Sequence, residues 1–244
     1  MLLALVAGAC GSDGGETATG EPGGTVTVLA AASLTDAFGE VGAAMEAVHP
    51  GLTVDLSFDG SSALATAMVE GGVPADVFAS ADEENADKVV DAGLATDAPV
   101  PFASNRLQIV VAEGNPLGIT GLADLAKVTL ALCDPEVPCG RYAREAFDRA
   151  GLPTPQAGDQ GNVKGVLTQV QLGEADAGIV YVTDGLGADG VEGVDVDDAA
   201  QVQATYPLVT LREAPNPAGA EAFVAFLLSD EGQAILRDHG FGPP

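Results

Sequence analysis

The chain has 244 residues, 47% of them hydrophobic, which suffices for one large domain or two lobes. Acids outnumber bases 36 to 9, a net charge of -27, so the chain lacks the basic footprint of a nucleic-acid binder and any charge-driven hold on an anionic membrane. Two distant histidines, His49 and His239, and the lack of an EF-hand or HExxH pattern leave no metal-ligating cluster to read; the acidity reads as solvated surface.

In chain order, residues 1–9 form an apolar run whose small residues Val6-Ala7-Gly8-Ala9 directly precede Cys10. That junction resembles the lipobox of bacterial lipoproteins. The resemblance implies that residues 1–10 are a signal remnant and that Cys10 is lipidated and becomes the mature N-terminus. The run is short and no Lys or Arg precedes it, so the natural start is expected further upstream. Residues 11–24 (GSDGGETATGEPGG) read as a flexible polar tether.

Strands and helices then alternate. Val26 to Ala30 reads as a strand, Thr35 to Val48 as a helix with Phe38, Val41 and Met45 at helical spacing, and Leu52 to Phe58 as an alternating strand. Ser62 to Glu70 predicts a helix, Val77 to Ala79 a short buried strand, Glu83 to Ala92 a helix ended by Gly93, and Leu107 to Ala112 a strand. Further on come a short helix at Leu122 to Ala126, a strand at Thr129 to Leu132, and helices at Tyr142 to Ala150 and Val163 to Leu172. A strand at Ala177 to Tyr181 precedes a glycine-rich acidic loop, Gly185 to Gly193. A strand within Val202 to Leu211 and helices at Gly219 to Leu228 and Glu231 to Asp238 close the chain. The alternation implies parallel sheets covered on both faces, with ligands bound where strands end and helices begin.

Four strand-to-helix turns therefore matter. Ser33, in Ala30-Ala31-Ala32-Ser33-Leu34, admits three readings: a helix N-cap with Asp36 at the third helical position, a nucleophile, or an anion ligand. A nucleophile needs a base, and neither histidine is placed to serve it; the GxSxG elbow is also missing. Similar turns occur at Asp59-Gly60-Ser61-Ser62, at Val137-Pro138-Cys139-Gly140, and at Gly161-Asn162-Val163, where Asn162 is the expected cap. Facing one another across a cleft, these helix starts would offer neutral donors to an anion. Cys133 and Cys139 form a disulfide in an oxidising compartment, or stay as two free small residues.

The segments AAASLTDAF, GSSALATAMVEGGVPADVFASAD, DPEVPCGRYAREAF, GEADAGIVYVTD and LLSDEGQAILRDHGF, in this order, resemble the periplasmic molybdate-binding proteins of ABC importers, over about Thr25 to Phe241. The resemblance implies an α/β, two-lobed class II periplasmic binding protein fold with mixed, mostly parallel sheets flanked by helices and two hinge crossings. It implies one lobe of residues 25–104 plus 207–244 and a second of 105–206. It implies an oxyanion, molybdate or tungstate, held by the hydroxyls of Ser33, Ser61 (or Ser62) and Tyr181 and by the backbone N–H groups of Cys139 and Val163. Tyr181 is expected at the rim and Tyr206 only in the return strand between lobes. Cys139 stands where a small residue such as alanine is common, and a bridge to Cys133 would brace that loop. No cofactor is implied, and molybdenum enters only within the oxyanion. The implied setting is extracytoplasmic, lipid-anchored and monomeric, with a membrane permease and an ATPase as partners. Capture of another tetrahedral oxyanion such as sulfate is the nearest alternative; a serine hydrolase is a remote one.

Overall fold

A computed structural model describes residues 22–244; Cys10 and all but the end of the tether lie outside the described residues. The elements in chain order are β1 (Gly24–Ala31), α1 (Thr35–Val48), β2 (Leu52–Asp59), α2 (Ser61–Val69), β3 (Val77–Ala79), α3 (Glu83–Asp91), β4 (Val100–Ala112), β5 (Leu130–Cys133) and α4 (Pro138–Arg149). They continue with β6 (Gly158–Gln160), α5 (Val163–Gln171), β7 (Ala177–Tyr181), α6 (Val182–Gly185), β8 (Val191–Asp195), β9 (Gln203–Thr210), α7 (Pro217–Leu227) and α8 (Asp230–Asp238). Short 3-10 turns cover Ala32–Leu34 and Leu122–Lys127.

The strands run β2-β1-β3-β9-β4-β7-β5-β6, with β8 on the side of β4. β1 pairs in parallel with β2 and β3, and β5 does so with β6 and β7. These are the right partners for strands joined through helices. The antiparallel pairs all involve the two crossing strands. β9 lies antiparallel to β3 and β4, and β4 antiparallel to β7 and β8. β4 carries the chain from one lobe to the other: residues 100–106 pair with β9, and residues 107–112 pair with β7 and β8. The chain end returns to this crossing, where Gly242 bridges Ser104 and the Ser104 hydroxyl donates to the Pro243 carbonyl at 2.6 Å.

Three expectations change, and one strand was not foreseen. The strand read as Leu107 to Ala112 begins at Val100, because its first half alternates poorly around Pro101 and a register shift. α4 begins at Pro138, not Tyr142; proline fits the first helical turn, where its missing N–H costs nothing. The loop from Gly185 to Gly193 gives way to strand β8 at Val191, an exposed edge strand whose sequence VEGVD has little apolar alternation. β6 is likewise a short, polar edge strand that the sequence pattern hides.

Apolar periodicity builds the core as expected. α1 buries Ala37, Phe38, Val41 and Met45 against the sheet and stops at His49, before Pro50. Asp82, Asn162, Asn216 and Ser229 cap α3, α5, α7 and α8 by accepting backbone N–H groups. An aromatic chain crosses the molecule. Phe223 packs on Phe38, Phe38 on Phe102 and Phe102 on Tyr206, which also packs edge-on against Phe241 and Tyr181, with ring centroids 5.4 and 5.9 Å away. Tyr206 sits on the crossing strand β9 and Tyr181 ends β7, so the rings run from α7 and α1 to the crossing strands.

Candidate functional site

A small cavity lies between the lobes, at the mouths of the four helix starts. Its walls are Ala31, Ala32 and Ser33 before α1; Asp59, Gly60 and Ser61 at α2; Val137, Pro138 and Cys139 at α4; Asn162 and Val163 at α5; and Ala81 and Tyr181. The enclosed space is small, on the scale of a single water molecule, and far too little for a sugar acid or peptide. The structure thus brings together Ser33, Ser61, Cys139, Val163 and Tyr181. Ser62 is not among the walls; its hydroxyl donates across the cleft to the Glu136 carbonyl at 2.6 Å.

Ser33 does not cap α1. It lies inside the 3-10 turn, Leu34 occupies the cap position without a side-chain bond, and the Ser33 hydroxyl instead meets the Tyr206 hydroxyl at 2.8 Å. Ser61 Oγ accepts the Ala81 N–H at 3.0 Å. A hydroxyl has one hydrogen, so accepting there leaves the Ser61 hydrogen free for the cavity. Ser61, Cys139 and Val163 stand in the first turns of α2, α4 and α5, where backbone N–H groups have no intrahelical acceptor and the helix dipole favours negative charge.

Tyr181 departs from its expected rim position. It is 1% exposed, and its hydroxyl is buried without a partner. Burial raises its pKa well above the usual tyrosine value, so it stays a neutral donor. An orphaned buried hydroxyl costs free energy in the empty site, and an acceptor in the cavity would relieve that cost.

A disulfide joins Cys133, the last residue of β5, to Cys139. It staples a wall of the cavity, residues 134–138, to the start of α4. The next residue must be glycine, since a side chain at Gly140 would overlap the carbonyl oxygens of Cys133 and Asp134.

No Lys or Arg is among the cavity walls. Its single acid, Asp59, is tied down: Oδ1 accepts the Gly60 N–H at 2.7 Å and the Asn162 amide at 2.9 Å. The nearby cations instead join the lobes. Arg141 of α4 pairs with Asp82 and, at 3.3 Å, with Glu84. Lys164 of α5 bonds Asp36 of α1 at 2.9 Å and lies 3.5 Å from the buried Asp184. Burial pushes the Asp184 carboxyl up to about 6, against the pull of Lys164. Sequence reading missed these ties, and Tyr206, because the residues meet only through the lobe contact.

A family model described as "Bacterial extracellular solute-binding protein" matches residues 26–242. A Mycobacterium tuberculosis protein named molybdate-binding protein ModA is 40% identical, the match covering 98% of this chain and 95% of that protein. An Escherichia coli protein of the same name is 32% identical, covering 89% of each. The solved periplasmic molybdate-binding protein of Azotobacter vinelandii superposes with a TM-score of 0.78 at 18% identity, over 90% of this chain and 99% of that one; it shares the fold. With a family model matched over nearly its whole described length and relatives aligned end to end, the chain belongs to the bacterial extracellular solute-binding proteins.

Proposed function

We propose that this chain captures molybdate, and with it tungstate, between its lobes and delivers it to the permease and ATPase of an ABC importer. One observation carries the reading: a small cavity walled by hydroxyls and helix starts from both lobes, with an orphaned buried hydroxyl and no Lys or Arg among its walls. The names of the relatives support the choice of ion. The ligands are the hydroxyls of Ser33, Ser61 and Tyr181 and the N–H groups of Cys139 and Val163.

A net charge of -27 does not forbid a dianion. Surface charges are screened over about 8 Å at physiological ionic strength. Each hydrogen bond to a charged group contributes about 1.5–3 kcal/mol, so five outweigh the residual repulsion. Sulfate has shorter bonds to oxygen, so a rigid cavity sized for molybdate leaves some donors out of reach.

The two serines act as ligands, not nucleophiles: neither histidine is among the cavity walls to take up a serine proton. Residues 25–104 with 207–244 form one lobe and 105–206 the other, closing by a hinge at β4 and β9. The protein works outside the cell membrane as a monomer, lipid-anchored through Cys10. Titration calorimetry on S33A and S61A tests the site: each is expected to weaken molybdate at least ten-fold, the loss of one charge-assisted bond. Parental affinity in both overturns the assignment.

A further inference from the structure

The contact between Ser33 and Tyr206 raises a question of direction. The two oxygens lie 2.8 Å apart with one hydrogen between them, and either can supply it. Ser33 has a single hydrogen. If it donates to Tyr206, only lone pairs face the cavity, and those repel an oxyanion. If Tyr206 donates, the Ser33 hydrogen is free to point at the ion.

The surroundings favour the second arrangement. Tyr206 is fully buried on the crossing strand β9, held edge-on by Phe102, Phe241 and Tyr181. Burial holds its hydroxyl protonated far above the working pH range, so, like Ser33, it has one hydrogen to place. The Asn105 side chain also acts on this hydroxyl. The Asn105 oxygen already accepts the Arg106 N–H at 2.8 Å, and its amide group donates to Thr183 at 2.9 Å. With its oxygen taken by Arg106, Asn105 competes poorly for the tyrosine hydrogen, which is left for Ser33. Ser61 is polarised the same way by the Ala81 N–H.

We propose that Tyr206 is a positioning residue: its O–H donates to Ser33 Oγ, turns the Ser33 hydrogen into the cavity, and makes the site select oxyanions that carry no proton. The inference rests on the oxyanion reading of the cavity. Without Tyr206 the Ser33 hydroxyl rotates freely and accepts a proton from the ion as readily as it donates one. Phosphate keeps a proton near neutral pH, so it should gain most from that freedom.

The test is a double-mutant cycle on the full chain, using Y206F, S33A and Y206F/S33A, with molybdate titrated by calorimetry. Phenylalanine keeps the packed ring, and thermal melting checks that each variant folds. Y206F is expected to weaken molybdate about ten-fold, the worth of one hydrogen bond, and to cost less than two-fold once Ser33 is already alanine. The excess of inorganic phosphate that displaces molybdate at pH 7 should fall in Y206F. Parental affinity in Y206F, or an equal cost in the S33A background, overturns the proposal while leaving the site standing. A phosphate excess that does not fall, undetected displacement included, overturns the selectivity. Parental affinity in S33A itself removes Ser33 from the site and this inference with it, whereas no molybdate binding by the parent removes the oxyanion reading.

Discussion

Replacing Gly60 by alanine separates lobe closure from folding. Gly60 precedes α2 with φ -60° and ψ 134°, a conformation open to alanine, so its own lobe has no reason to resist. The obstacle lies across the cleft. A Cβ at Gly60 would sit 2.5 Å from the carbonyl oxygen of Gly161 and 3.4 Å from the Val137 side chain. Restoring an ordinary contact of 3.4 Å at Gly161 requires the second lobe to retreat about 0.9 Å. The Val163 and Cys139 donors move with that lobe. A hydrogen bond near 2.9 Å lengthened by that much is lost. Losing one of the two charge-assisted bonds costs about 1.5–3 kcal/mol, or about 10- to 150-fold in affinity. The unfolded chain meanwhile loses freedom, which stabilises the empty protein by about 0.4–1 kcal/mol. Calorimetry with molybdate and a thermal melt of the ligand-free protein read the two effects. G60A that binds like its parent, or that melts well below it while empty, refutes the reasoning.

Three further outcomes are expected. Y181F removes an orphaned buried hydroxyl, so the empty protein should melt at or above the parent while molybdate binds about ten-fold or more weakly; a lower melting point with unchanged affinity contradicts this. R141Q should leave each lobe folded, since Asp82 keeps its bonds from Asn85 and Ser80. It should still raise the molybdate off-rate about ten-fold in stopped flow, between the surface and buried limits for an ion pair. Asp184 sets a pH dependence: its folded value of about 6 lies above the ordinary 3.8, so its contribution is full below that ordinary value and is lost as pH rises through about 6. Melting from pH 4 to 7 should therefore decline less in D184N than in the parent; parallel curves contradict the assignment.

Helical spacing of Phe38, Val41 and Met45 and the apolar run of β1 made the central α/β elements legible, because burial selects those patterns. The start of β4, β6 and β8 were not, because edge and crossing strands face partly outward or break register. The four turns were readable from small residues, serines and Asn162 next to helix patterns. Tyr206 was hidden for a different reason. It sits at residue 206 and its partner at 33, a separation of 173, and nothing local signals the pairing. One hint existed: a tyrosine in an apolar return strand must find a polar partner when buried. The rim placement of Tyr181 failed because the sequence does not say how far the lobes close.

The most direct test of the central claim is a calorimetric titration of the ligand-free protein with molybdate and then sulfate at one salt concentration. Tight one-to-one molybdate binding with much weaker sulfate binding is the predicted result. Sulfate tighter than molybdate, or heat from neither, would contradict it.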